Sequence, residues 1–241
     1  MDINKTYNEN CLDTMKIMPD EFIDLTVTSP PYDNLREYKG YSFDFESIAK
    51  ELFRVTKKGG VVVWVVGDAT IKGSETGTSF KQALFFKEIG FNIHDTMIFR
   101  KNATAFPSSN RYLQQFEYMF VLSKGTPKTV NLIKDRTNKF LRGNIGHKKN
   151  KRRSQKGLRF NVWEFYIGKN NSSKDKIAHK HPAIFPEQLA NDHILSWSNE
   201  NDLVYDCFAG SGTTLKTARL NNRNYIGSEI VKKYVDNAES S

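Results

Sequence analysis

The chain has 241 residues, 38% hydrophobic and 12% aromatic, enough for one sizeable domain with an insertion. Its longest purely apolar run, Val61 to Val66, is too short to span a bilayer, the first sixteen residues are polar, and Cys11 and Cys207 stand in no metal-ligand or redox spacing; a cytoplasmic protein with reduced core thiols and no metal is expected. The formal charge of +9 is concentrated in one place, because Lys134 to Arg159 holds 11 Lys or Arg against one acid, Asp135, and leaves the remainder about neutral.

In chain order, residues 5–9 read as a short strand and Cys11 to Met18 as a short helix with Leu12, Met15 and Met18 inward. Ile23 to Thr28 reads as a buried strand. Phe45, Ile48, Ala49, Leu52 and Phe53 recur at helical spacing, which predicts a helix over Phe45 to Lys57 stopped by Gly59-Gly60. Val61 to Val66 is β-branched and apolar on both faces, as suits a central parallel strand covered on each side. A helix over Phe80 to Ile89, ended by Gly90, precedes strands near Phe91 to Phe99 and Phe116 to Leu122, a pair expected to be antiparallel. The basic run shows no sustained period. Beyond it, Phe185 to Ser196 reads helical, Leu203 to Asp206 as a strand, Thr213 to Leu220 as a helix and Tyr225 to Glu229 as a strand. Strand alternating with helix predicts a doubly wound α/β fold with a mostly parallel sheet.

Two motifs carry chemistry. Thr28-Ser29-Pro30-Pro31-Tyr32 follows a strand; the prolines fix the backbone and leave carbonyls off ladder duty, so a hydroxyl, rigid carbonyls and a phenol ring can grip a flat amino-bearing heterocycle. A surface turn is the simpler reading of such a proline cluster taken alone. The second motif supplies a partner for it. Asp206-Cys207-Phe208-Ala209-Gly210-Ser211-Gly212-Thr213-Thr214 joins a strand to a helix, and Glu229 ends the next strand, 23 residues after Asp206, where an acid can accept ribose hydroxyls. A P-loop would need lysine after Gly212 and a dinucleotide fingerprint a glycine at Leu215, so neither phosphate-binding class fits. An acid ahead of a glycine loop suits a ligand with an amino or cationic group, as in S-adenosylmethionine.

The joint occurrence of these motifs resembles the amino-methylating DNA methyltransferases of cytosine N4 or adenine N6, over nearly the full length and in the β order, with the catalytic half first. Arg54-Val-Thr-Lys-Lys-Gly-Gly60 and His181-Pro-Ala-Ile-Phe-Pro-Glu-Gln-Leu189 agree with it. The resemblance implies a single methyltransferase domain with a seven-stranded sheet: a catalytic half over 1–123, a target-recognition insertion over 124–178 and a cofactor half over 179–241. It implies that Ser29, Pro30, Pro31 and Tyr32 hold the target base, flipped from duplex DNA. It also implies that Asp206 and Phe208 to Thr214 hold the methionine part of S-adenosyl-L-methionine, Glu229 its ribose, with Phe185 nearby and Asn10 where the family usually has an aspartate facing the adenine amino group. Cys207 replaces a common proline, with little expected consequence. Lys148, Lys149, Lys151, Arg152, Arg153 and Lys156, with Arg36 and Lys39 near the pocket, are expected to meet DNA phosphates. Ser-Pro-Pro-Tyr resembles the cytosine-N4 enzymes. Adenine N6, an RNA substrate and a non-catalytic DNA-binding protein are the alternatives, and a restriction–modification setting with a cognate endonuclease is a further implication, for a monomer or homodimer.

Overall fold

The computed structural model describes residues 1–31, 43–102, 110–138, 142–145, 148–152, 154–166 and 186–239. The first half contains β1 (Lys5–Tyr7), α1 (Cys11–Lys16), β2 (Ile23–Thr28), α2 (Phe45–Val55), β3 (Thr56–Val66), a small hairpin of β4 (Thr70–Ile71) and β5 (Ser74–Glu75), α3 (Thr78–Glu88), β6 (Asn92–Lys101) and β7 (Phe116–Ser123). Then come β8 (Arg136–Thr137), β9 (Arg142–Ile145), β10 (Lys148–Arg152), β11 (Lys156–Gly157) and β12 (Val162–Phe165). The last part holds α4 (Glu187–Trp197), β13 (Leu203–Asp206), α5 (Thr213–Leu220), β14 (Asn224–Ser228) and α6 (Lys232–Glu239).

Eight strands make one sheet in the order β1-β14-β13-β2-β3-β7-β6-β12. From β1 to β3 every pair is parallel; β7 runs antiparallel to both β3 and β6, and β12 is parallel to β6. From the adjacent strands β2 and β13 the chain winds outward in opposite directions, through α2 to β3 and through α5 to β14. That makes β2/β13 the switch point of the sheet, where a crevice opens at the carboxyl ends of the strands.

The alternation along β3 shows how both faces are filled. Val62, Trp64 and Val66 pack with Met15, Leu52 and Phe86 on one face, while Val61, Val63 and Val65 pack with Leu189, Ile194 and Ala218 on the other. A strand buried on both sides needs this continuous apolar run. Trp64 satisfies its indole through Nε1 donating to Gln82 Oε1 at 2.8 Å.

Three sequence expectations change. The predicted helix over Phe45 to Lys57 ends at Val55, and Thr56 to Gly60 belong to β3, which shifts register against β2 so that Ile23 faces Thr56 but Leu25 faces Val61. Gly59 takes φ +82° in this bulge, and a Cβ on Gly60 would lie 2.8 Å from Thr56 Cγ2, so the glycines serve the bulge rather than a helix stop. The expected seven-stranded sheet gains an eighth strand. It is β12, whose Val-Trp-Glu-Phe alternates exposed and buried and lies within the stretch read as an insertion. Finally, the aperiodic basic run contains strands: β8 pairs with β11 and β9 with β10, both antiparallel, with Asn138 N donating to Gln155 O at 3.0 Å beside the first pair. These two pairs, nested in sequence as a two-stranded ribbon would be, have no ladder to the main sheet among the described residues. Cross-strand pairing, not hydrophobic periodicity, builds it. The antiparallel pair β6/β7 is as expected.

His193 on α4 is fully buried, its ring stacked 4.6 Å from that of Trp163 and its Nε2 3.4 Å from Met119 Sδ, while Nδ1 has no partner among the described residues. Burial, helped by the positive charge of Arg159, pushes its pKa down from 6.5 to about 3. The unfolded chain takes up this proton below about 6.5 and the folded chain does not, so this contribution to stability is complete above that pH and is lost as pH falls. Denaturant melts from pH 7 down to 4 should show stability declining by up to ~1.4 kcal/mol per pH unit from this residue. His193→Leu should flatten the decline, and an unchanged slope in that variant would assign it elsewhere.

Candidate active site

The parallel strands deliver their carboxyl ends to one edge, so Asn8 to Asn10 after β1, Ser29 to Pro31 after β2, Cys207 to Gly212 after β13 and Glu229 after β14 all emerge there. One contact ties the two motifs together across the switch point. Thr28 Oγ1 donates to Asp206 Oδ1 at 2.7 Å, in the interior, between residues 178 positions apart in the chain. Thr28, one position ahead of Ser29, is 1% exposed and Asp206 is 5% exposed. The same Asp206 oxygen accepts the Phe208 N–H at 3.0 Å, which turns the chain sharply out of β13.

The loop after Asp206 is built from backbone contacts. Ala209 N donates to Ser228 O at 2.9 Å and Gly212 N to Ala209 O at 2.8 Å, and Gly212 enters α5 at φ +81°, a conformation that favours glycine. Ala209 to Thr214 are buried and Phe208 is half-buried. A Cβ at Gly227 on β14 would fall 2.4 Å from Leu215 Cδ1 and 3.1 Å from Ala209 Cβ, so a side chain there would displace Leu215 where α5 lies against the sheet.

Glu229 sits beside this loop. Its Oε2 accepts Gly210 N–H at 3.0 Å, its Oε1 accepts Val231 N–H at 2.8 Å, and its own N–H donates to Tyr7 O at 3.0 Å. Burial raises the pKa of both Asp206 and Glu229; hydrogen bonds from Thr28 and Phe208 oppose the shift at Asp206, as the Val231 and Gly210 amides do at Glu229. Two desolvated acids flanking a glycine turn favour a ligand that brings positive charge and hydroxyl donors.

The expected site residues thus fall into three groups. Asp206, Phe208 to Thr214 and Glu229 are brought together, with Ser29, Pro30 and Pro31 one hydrogen bond away through Thr28. Asn10 lies at the same edge, where its Oδ1 accepts Leu12 N–H at 2.9 Å as the N-cap of α1. Tyr32, Arg36, Lys39, Arg153 and Phe185 lie outside the described residues. Lys148, Lys149, Lys151 and Arg152 belong to β10, and exposed Lys156 to β11, where its Nζ donates to Asp135 O at 3.0 Å. Three residues escaped the sequence reading. Thr28 stood inside the quoted motif without a role, yet it holds the halves together. Cys207, expected to matter little, is buried with Sγ 3.5 Å from the Thr28 hydroxyl. Asn8 Nδ2 donates to the carbonyls of Glu229 at 2.9 Å and Ile230 at 3.1 Å, anchoring the acid's backbone, and no pattern in the sequence signals it.

A parallel sheet reversing between β2 and β13, with one antiparallel strand near its far edge and ligand-facing turns at its carboxyl ends, is the methyltransferase fold. The PvuII DNA methyltransferase, a cytosine-N4-specific enzyme, shares it at a TM-score of 0.77 and 21% identity, over 97% of this chain and 84% of that one. The structure of the M1.HpyAVI–SAM complex shares it at 0.67 and 23%, over 98% of each chain. Sequence narrows the class further. Residues 23–240 match the DNA methylase family of N6 and N4 enzymes. The orphan methyltransferase M.BamHII of Bacillus amyloliquefaciens is 61% identical over 228 residues, 89% of this chain and 86% of the relative. The Type II methyltransferase M.BglII of Bacillus subtilis is 27% identical over 247 residues, 97% of this chain and 67% of the relative. The chain belongs to the N6/N4 DNA methylase family and is a DNA methyltransferase.

Thr28→Val removes the hydroxyl from a buried carboxylate while keeping the shape, and should lower unfolding free energy by about 1–3 kcal/mol. Thr28→Ser should retain most of it. Chemical denaturation of the three proteins reads the difference, and equal stability of parent and Val variant would mean that Thr28 is not the tie.

Proposed function

We propose that the chain transfers a methyl group from S-adenosyl-L-methionine to the exocyclic N4 of a cytosine flipped out of duplex DNA. The observation that carries this reading is the 2.7 Å bond between Thr28 and Asp206, which sets the Ser29-Pro30 turn directly beside the glycine loop. The buried acids fit the cofactor: Asp206 meets its ammonium, Glu229 takes the ribose hydroxyls, and the loop from Phe208 to Thr214 admits it close to the backbone. Asn10 keeps a second acceptor position on Oδ1 for the adenine amino group, and Phe185 lines the adenine. When bound, the cofactor supplies a methyl group already activated by the sulfonium charge.

The chain's own task is to localise the lone pair on a weakly nucleophilic amine. Ser29 Oγ and the Pro30 carbonyl accept the two N–H bonds and pull the nitrogen towards tetrahedral geometry, while Pro31 keeps the turn rigid. The Tyr32 ring stacks on the flipped base. The proton released after transfer passes to water, directly or relayed by the Ser29 hydroxyl as it gives up its own. Cytosine is favoured over adenine by the Ser-Pro-Pro-Tyr sequence and by the cytosine-N4 specificity of the PvuII enzyme that shares the fold. Lys148, Lys149, Lys151, Arg152, Arg153 and Lys156, with Arg36, neutralise phosphates; residues 136–157 carry nine Lys or Arg and no acid, on a two-stranded ribbon of the kind that a DNA groove admits. In this assignment 124–178 is the target-recognition region, 1–123 the catalytic half and 179–241 the cofactor half.

Nucleoside mass spectrometry after incubation with S-adenosylmethionine and unmethylated DNA should show N4-methylcytosine. N6-methyladenine alone overturns the choice of base, and neither product overturns the reaction. Tyr32→Ala and Asp206→Ala should both abolish turnover, but only Asp206→Ala should weaken cofactor binding, by about 10- to 100-fold for the loss of a charge-assisted bond. Equal cofactor affinity of the two variants, measured by calorimetry, would reverse the assignment of the halves.

A further inference from the structure

Arg159 is the last cation of the basic run that starts at Lys134. Its surroundings set it apart. Nε donates to Asp135 Oδ2 at 2.7 Å, Nη2 donates to the same oxygen, and Nη1 donates to Asp192 Oδ2 on α4 at 2.6 Å. The guanidinium lies 5.0 Å from the centre of the Trp163 ring on β12, and the Arg159 N–H donates to Ile133 O at 3.0 Å. The Asp192 side chain is only 4% exposed and also accepts from Gln188 Nε2 at 2.6 Å and Asn191 Nδ2 at 3.1 Å. All three guanidinium nitrogens are thus engaged by carboxylates and one face of the group lies on an indole, while the side chain keeps a quarter of its surface exposed.

The position of this cluster gives it a purpose. Asp135 directly precedes β8 and Arg159 follows β11 by two residues, so their pairing closes the base of the ribbon, and Asp192 fastens that base to α4. Through Trp163, stacked on His193, the same cluster reaches the interior beneath the sheet. The ribbon has no ladder to the main sheet among the described residues, so its direction relative to the catalytic edge is set at its base. A planar fork that engages two carboxylates while stacking on an indole does this in a way that a lysine cannot.

We propose that Arg159 is a positioning residue for DNA: it meets no phosphate, and by clasping Asp135 and Asp192 it sets how the basic ribbon presents the duplex to the catalytic edge. This rests on the reading of the ribbon as the DNA-binding element.

The discriminating measurement is the salt dependence of DNA binding beside steady-state kinetics, in the full-length protein. Lys148→Ala and Lys149→Ala should each make the slope of log K against log[salt] shallower by about 1, as loss of a phosphate contact does. Arg159→Gln should leave the slope unchanged yet lower kcat/KM for DNA by up to about 100-fold through misplacement of the target, with KM for S-adenosylmethionine unaltered. Arg159→Lys should fail to rescue, and Asp192→Asn or the more exposed Asp135→Asn should reproduce the defect with the cofactor KM again intact. A shallower slope for Arg159→Gln, or rescue by Arg159→Lys, would make Arg159 an ordinary phosphate contact and overturn the clasp. Wild-type protein that binds no DNA, or ribbon lysine variants that leave its affinity and slope untouched, would overturn the ribbon's role and the clasp with it. A shallower slope for Arg159→Gln, with the lysine variants behaving as expected, overturns the clasp alone and leaves the ribbon reading standing.

Discussion

The hydrogen bond from Thr28 to Asp206 is the constraint on which the site depends. It joins the ends of two neighbouring parallel strands that come from opposite extremes of the chain, at the point where the sheet's winding reverses. A carboxylate taken out of water there needs donors, and the structure provides the Thr28 hydroxyl and the Phe208 amide. The same arrangement leaves the acid under-solvated, with its pKa raised by burial, so a cationic ligand relieves a cost the fold has already met.

Charge is distributed accordingly. The carboxyl edge carries the desolvated acids Asp206 and Glu229 beside the glycine loop, whereas residues 136–157 hold nine Lys or Arg and no acid. A cationic methyl donor is drawn to one and a polyanion to the other.

Much of this was legible in the sequence, for identifiable reasons. The central strand Val61 to Val66 declared itself through an unbroken β-branched run, and Asp206 to Thr214 through glycines that only a tight strand-to-helix turn requires. The start of β3 was misread because Thr56 to Gly60 look like a helix end followed by a stop, when the glycines in fact serve a bulge whose partner is the distant strand β2. β12 and the ribbon were missed because their strands are two to five residues long and their pairing partners are invisible to a local pattern. Thr28, Cys207 and Arg159 belong to the same class: their roles follow from neighbours far along the chain, and a threonine, a cysteine or one arginine among eleven basic residues carries no mark of them.

β1 pairs with β14, so the first strand of the chain lies beside the last strand of the sheet, and α6 packs against β1. The two halves of the site meet through ladder and side-chain bonds between β2 and β13, none of which depends on which half is synthesised first. The sheet would accept the same strands visited in another order, with the present ends joined and a new break made in a surface connection. Gene rearrangement can therefore exchange the order of the strand sets on either side of the β2/β13 seam while leaving the Thr28–Asp206 bond across it intact.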